Sequence, residues 1–249
     1  MLSIINVSKS FGGIKAVNDC SLEIKENSIT GLIGPNGAGK STLFDLITGF
    51  QRADKGEIYF KNELISGLDP HIIALKGIVK TFQIPRPFPK MTVLENMLLS
   101  PKKQIGENIF GVLLRSSVVK EQETKNLEKA LKLLKFMNLI DLKDEYAGNL
   151  STGQMKLLEL ARALMVDPEL LLLDEPVAGV NPVLTKELLD HIRELQKNGK
   201  TFFIVEHNME VMMELCEHIF VMHNGKVISS GSPEEIRNDE RVLDAYLGE

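Results

Sequence analysis

The residues best able to do chemistry stand together at Gly34-Pro35-Asn36-Gly37-Ala38-Gly39-Lys40-Ser41-Thr42. Their spacing is G-x-x-x-x-G-K-S, and glycines at those places let the backbone curl until successive N–H groups face one anion. Lys40 is a mobile point charge with the reach of β- and γ-phosphates, and the Ser41 hydroxyl suits Mg²⁺. A helix opening at this point adds its positive end. The chemistry is the grip of a nucleoside triphosphate. A ligand-free glycine turn is the competing reading, and the flanks oppose it. Ile29 to Ile33 is an apolar run of strand length before the loop, and Leu43-Phe44-Asp45-Leu46-Ile47 reads as helix after it.

Two further polar clusters follow apolar runs. Leu170 to Leu173 is unbroken, as in a strand buried on both faces of a parallel sheet, and it stops at Asp174-Glu175-Pro176. Thr201 to Val205 is a second such strand, ending at Glu206-His207. Functional groups of parallel sheets gather where strands end, so these two clusters and the phosphate loop are expected to converge. Ser41 and Asp174 form the minimal side-chain pair for Mg²⁺, which completes its shell with phosphate oxygens and water. Glu175 is then left to polarise an attacking water. Carboxylates after strands are also common helix caps, and only the phosphate loop gives these two a metal and a water to act on.

The positioning elements follow from pattern. Residues 2–7 and 19–26 read as strands on either side of a Gly12-Gly13 break, and Glu57-Ile58-Tyr59-Phe60 as another. Phe11, just before the break, is either core or a flat platform for a base. Ile78 to Gln83 is strand-like, after which Pro85, Pro87 and Pro89 forbid regular structure. Thr92 and Glu95 have capping-box spacing and open a helix. Residues 105–119 carry no clear period. From Glu121 to Met137, Leu127, Ala130, Leu131, Leu134 and Met137 fall on one helical face. Ser151 and Gln154 form a second capping box, opening a helix through Leu164 that Asp167-Pro168 ends. A helix over 183–196 closes at Asn198-Gly199, Asn224-Gly225 joins a hairpin, and Ser232-Pro233-Glu234-Glu235 caps a terminal helix. The fold class is α/β with a mainly parallel sheet: a core over about 1–83 and 151–249, interrupted by a mostly helical insert over about 84–150.

Composition narrows the function. The chain has 249 residues, 43% hydrophobic and 25% charged, the profile of an ordinary globular protein. A net charge of −5 opposes a nucleic-acid surface, so no nucleic-acid partner is expected. Cys20 and Cys216 form no C-x-x-C pair and suggest a reducing compartment. No leader is expected at Met1, and no apolar run approaches the roughly 20 residues that cross a bilayer. The expectation is a cytoplasmic or loosely peripheral protein, with any membrane span supplied by another chain.

The order of these pieces resembles the nucleotide-binding subunit of an ATP-binding cassette (ABC) transporter over nearly the whole chain. The resemblance is carried by the loop at 34–41, Gln83 after its strand, Leu150-Ser151-Thr152-Gly153-Gln154, the Leu-rich run into Asp174-Glu175-Pro176, and His207. Thr81-Phe82-Gln83, Met91 to Asn96, Ala178-Gly179-Val180-Asn181-Pro182 and Ala245-Tyr246-Leu247-Gly248 are more narrowly similar to the branched-chain amino-acid importer branch, with the lipopolysaccharide-export ATPase as a near relative. The resemblance implies a nucleotide-triphosphatase core with an antiparallel β subdomain and a helical signature subdomain, using ATP and Mg²⁺. It implies that Phe11 stacks on adenine and that Gln83 senses the γ-phosphate and Mg²⁺, moving the Pro-rich stretch behind it. His207 would be the switch histidine between the γ-phosphate and the water of Glu175. Two ATPase subunits would sandwich ATP between one loop and the other's Ser151, Gly153 and Gln154, where a helix start offers amides and a positive dipole end.

The implied partners are a second such subunit, permease subunits and a substrate-binding protein, with the chain peripheral on the inner membrane face. The Pro-rich, apolar stretch just after Gln83 points to a groove between the 84–100 segment and the core, near Phe88, as the place where a coupling helix of the permease would dock. Two residues depart from the family pattern: Thr152 stands where Gly is commonest, and Asn181 where Asp is usual. They bear on dimer tightness and hydrolysis rate. His71, His191, His218 and His223 have no metal-ligand spacing and read as surface or packing residues. A soluble cassette protein of translation or repair is disfavoured by the single cassette and the lack of sustained heptads. A GTPase-type switch is disfavoured by the signature run and the Gln83 and His207 strand ends.

Overall fold

In the computed structural model, residues 1–83, 85–101 and 116–247 are described. Alternating residues build the first strands, β1 (Leu2–Phe11) and β2 (Ile14–Ile24), with inward Leu2, Ile4, Val7, Leu22 and Ile24 buried. Gly12 and Gly13 turn between them at φ 51° and 90°, which makes both strands longer than the apolar runs suggest. Then come β3 (Ile29–Ile33), α1 (Lys40–Ile47), β4 (Lys55–Phe60), β5 (Glu63–Leu64), α2 (Pro70–Lys76) and β6 (Ile78–Lys80). Helices α3 (Val93–Leu98), α4 (Ser116–Phe136) and α5 (Thr152–Leu164) follow, then β7 (Leu170–Asp174), α6 (Pro182–Lys197) and β8 (Thr201–Val205). The chain continues through α7 (Met209–Leu215), β9 (His218–His223), β10 (Lys226–Gly231), α8 (Pro233–Arg237) and α9 (Glu240–Leu247).

Contacts divide the chain into two units. The first, Met1–Gln83 with Pro168–Ala178 and Ile192–Glu249, holds both sheets. One is antiparallel, in the order β2-β1-β4-β5; the other runs β10-β9-β3-β8-β7-β6. Within the second sheet all neighbours are parallel except the β9–β10 hairpin. Every residue of β3, β7 and β8 is buried, which is why their sequences are apolar-rich, broken only by Thr30 and Gly31 in β3 and by the end residues Asp174 and Thr201. Phe44 of α1 packs on Phe203 of β8 with ring centroids 5.1 Å apart, fixing that helix against the sheet. Asn224 and Gly225, at φ 48° and 78°, make the hairpin turn anticipated from their dipeptide.

The second unit comprises Ile84–Asp167 and Gly179–His191, so it runs past residue 150 and takes in the start of α6. Its α3 and α5 both open on complete capping boxes, Thr92 with Glu95 and Ser151 with Gln154. On α4, Ala130 and Leu134 are buried, as is Met137 just beyond it. Leu127, expected on the same buried face, is exposed and lines an open groove of about 480 Å³ with Leu98 and Thr124. Periodicity gives the direction of a helical face but not how far a neighbour covers it. Of the stretch 105–119, only its last residues lie within the described part. Among the described residues no helix is long and apolar enough to cross a membrane.

Candidate active site

Strand order assembles the site. Because β3, β8, β7 and β6 are consecutive neighbours and all parallel, their carboxyl ends open side by side. From those ends come, in turn, the loop starting at Gly34, Glu206-His207, Asp174-Glu175, and the bend leading to Gln83. Strand β6 stops at Lys80, three residues short of the expected Gln83. Thr81 takes over the edge pairing: its amide donates to the Leu172 carbonyl at 2.9 Å, and its hydroxyl accepts the Asp174 amide at 3.4 Å.

The loop is a backbone cradle with no room for side chains at two glycines. A Cβ at Gly34 would sit 2.0 Å from the Met222 carbonyl oxygen, and one at Gly39 2.1 Å from that of Ala16. Both also adopt positive φ, 149° and 103°. The Gly225 amide donates to the Ala38 carbonyl at 3.0 Å, so the β9–β10 turn braces the loop from the other side. Buried Lys40 folds over the loop, its ammonium donating to the carbonyls of Gly34 at 2.6 Å and Pro35 at 2.9 Å. Asn36, Gly37 and Ser41 are exposed, and Thr42 is half-buried. Gly39 brings no capping side chain to α1, and an uncapped helix start suits an anion. A triphosphate fits this geometry.

Beyond the loop, the Glu175 carboxylate is held from both sides. Gln83 Nε2 donates to its Oε2 at 2.7 Å, and His207 Nε2 lies 2.9 Å from its Oε1. Asp174 is buried, with Lys80 Nζ 3.5 Å away; that ammonium also reaches Asp45 at 2.8 Å. Burial, opposed by Lys80, leaves the Asp174 carboxyl above its ordinary range. Among the described residues no three His, Cys, Asp or Glu side chains form a cage for a metal ion. A Mg²⁺ that travels with a triphosphate needs only one or two side chains, and Ser41 with Asp174 supplies a hard hydroxyl and a carboxylate of the right kind.

Two neighbours escaped the sequence reading. Lys80 lies inside the strand-like run from Ile78 with no signal of its own, and its ion pair with Asp174 depends on β6 lying beside β7. Glu206 stands at a strand end, where the sequence alone assigns it no role. It is 3% exposed and accepts three main-chain amides, and burial raises its carboxyl above the usual range. The adjacency of three polar strand ends was its only signal.

Phe11 ends β1 at the Gly12-Gly13 turn, 44% exposed, with the Lys9 ammonium 5.4 Å from its ring centroid. The same sheet supplies Ala16, whose carbonyl abuts Gly39. Ser151, Gly153 and Gln154 belong to the second unit. There the Ser151 hydroxyl accepts the Gln154 amide at 3.3 Å, and Gln154 Oε1 accepts the Ser151 amide at 2.9 Å. Two of the amides expected to be open at this helix start are therefore already engaged. Gly153 admits close packing: a Cβ there would lie 2.5 Å from Leu184 Cδ1 and 3.1 Å from Val180 Cγ1. Thr152, exposed, is the first residue of α5, and Asn181 Oδ1 accepts the Leu184 amide at 3.0 Å, so the amide side chain serves as a helix cap.

Comparison with known proteins accounts for the whole chain. The family model described as ABC transporter matches residues 17–178, and one described as branched-chain amino acid ATP-binding cassette transporter matches 226–249. A probable branched-chain amino acid transport ATP-binding protein, LivG, of Archaeoglobus fulgidus is 47% identical over 248 residues, covering 100% of this chain and 95% of that one. The ADP conformation of an ATP-binding cassette of an ABC transporter superposes with a TM-score of 0.86 at 40% identity, covering 100% of this chain and 99% of that one. A dimeric bacterial ABC transporter cassette gives 0.77 at 26% identity, covering 94% and 99%. The family match, the full-length identity and the shared fold have one explanation: the chain belongs to the ABC transporter family, as an ATP-binding cassette.

Proposed function

We propose that this chain hydrolyses ATP to drive an importer of branched-chain amino acids, bound at the cytoplasmic membrane face by permease subunits. The reading is carried by Glu175, a carboxylate held between Gln83 and His207 on loops that leave the same edge of the sheet as the phosphate loop. Lys40 and the amides of residues 37–42 take the β- and γ-phosphates, and Phe11 receives the adenine. Ser41, Asp174 and Gln83 would hold Mg²⁺, which supplies charge neutralisation on the phosphates when bound. Glu175 orients water for in-line attack and accepts its proton; His207 ties that carboxylate to the γ-phosphate.

A second copy, or a sister ATPase, supplies the start of its α5 to complete the pocket. The dimeric relative and the anion-friendly end of that helix support this arrangement. The cargo follows from the names of the relatives and from the match at 226–249, and a substrate-binding protein would deliver it. Permease docking is assigned to the stretch after Gln83. There buried Asn96 holds Phe88 through the Phe88 amide at 2.8 Å and carbonyl at 3.1 Å, while the Phe88 ring stays 50% exposed beside the Arg162 guanidinium. Such an anchored aromatic suits a partner helix.

The test is hydrolysis of Mg-ATP by purified protein, followed across dilution. The rate per molecule should fall as dimers dissociate. A rate independent of dilution removes the shared site, and no retention of Mg-ATP removes the reading altogether. Crosslinks from position 88 should capture a membrane protein; capture of soluble chains alone counts against the docking assignment.

A further inference from the structure

We infer that Glu206 is a positioning residue for hydrolysis, a buried carboxylate whose two oxygens tie the loop carrying Glu175 to the loop carrying His207. The inference rests on the ATPase reading above. Its Oε1 accepts the Val177 amide at 2.9 Å, two residues beyond Glu175. Its Oε2 accepts the amides of His207 at 3.1 Å and Asn208 at 3.5 Å. Both loops are also pinned by the main chain, since the Glu175 amide donates to the Val205 carbonyl at 2.8 Å. Glu206 thus fastens the far side of a loop whose near side hangs on the residue before it.

Glu175 needs such fastening. Its φ is 49°, in the left-handed region that a non-glycine residue occupies only when its surroundings hold it there. The side chain it presents lies 2.9 Å from His207 Nε2, so any drift of either loop opens the pair. Chemistry also dictates the residue type. A carboxylate accepts at both ends and donates at neither, whereas Gln would turn an NH₂ toward one set of amides. Sequestering a charge at 3% exposure is costly, and three amide donors offset that cost at this place. Glu206 does not touch the reacting atoms; it acts through the loops.

Glu206→Gln, close in size, tests this in the full chain with Mg-ATP. The expected result is a fall in kcat of roughly 10- to 100-fold from loop misplacement, with nucleotide affinity unchanged because the phosphate cradle is untouched. In the Glu175→Gln background the same substitution should cost nothing further, since the group it positions is already gone. Glu206→Asp keeps the charge but is one methylene shorter, and should lose less. A stabilising role alone predicts a lower Tm with an unchanged kcat per folded molecule, and that pattern overturns the inference, as does a further fall in kcat when Glu206→Gln is added to Glu175→Gln. Should Glu206→Gln not fold, Glu206→Asp with wild-type kcat overturns it equally. Failure of the wild-type chain to hydrolyse ATP would instead condemn the ATPase reading.

Discussion

Helices α1 and α5 both begin at residues assigned to phosphate, yet they begin differently. The start of α1 has no side-chain cap; Gly39 provides a bare backbone and Lys40 a charge folded over it. The start of α5 satisfies itself, with Ser151 and Gln154 exchanging hydrogen bonds. A helix end without a side-chain cap can offer its amides to an anionic ligand with no cap to displace. A capped end gains from an anion mainly through its dipole and its remaining amides, worth about 0.3–1 kcal/mol when exposed. The contrast fits a division of labour in which one end grips nucleotide and the other responds to its γ-phosphate from a partner.

The comparison can be broken most sharply at Glu175, next to the uncapped end. Glu175→Gln should retain ATP and lose turnover by roughly 10²–10⁴-fold, measured as steady-state phosphate release; unchanged hydrolysis would remove Glu175 from the role. Lys40→Ala acts earlier. It should weaken nucleotide binding by roughly 10- to 100-fold, the scale of a lost charge-assisted contact, and equilibrium binding of a fluorescent ATP analogue reads it. At the capped end, Ser151→Ala should cost about 1 kcal/mol of stability while leaving binding to the single chain intact, and should weaken ATP-driven dimerisation seen by sedimentation. Equal loss of ATP binding in Ser151→Ala and Lys40→Ala would erase the distinction between the two ends.

Asp174 gives the smallest effect and a test of sign. Burial raises its carboxyl above the ordinary range, so the folded chain holds that proton more tightly than the unfolded chain does. The stability gained from protonation is full below the unfolded value of about 4 and is lost as pH rises through the higher folded value. Asp174→Asn should therefore melt above wild type near neutral pH without nucleotide, the gap closing toward about pH 4. Lys80 keeps Asp45 as a partner in that variant, so no unpaired ammonium confuses the measurement. Differential scanning fluorimetry across pH reads the result.

Local chemistry was written plainly in the chain. The positive φ at Gly34 and Gly39, the capping boxes at 92 and 151 and the Asn224-Gly225 turn each follow from short-range sterics or hydrogen bonding, which a few residues determine by themselves. Tertiary structure alone decided what those pieces meet. The order β3-β8-β7-β6 brings Gln83 to Glu175 across 92 positions of sequence, and it gives Asp174 a lysine as a neighbour. It also turns Glu206 from one more acidic residue into a clamp on three amides. In the second unit, the packing of α4 leaves Leu127 exposed on a face that periodicity marks as buried. Pairing between distant strands depends on which buried surfaces fit together over the whole chain, and no window of residues contains that information.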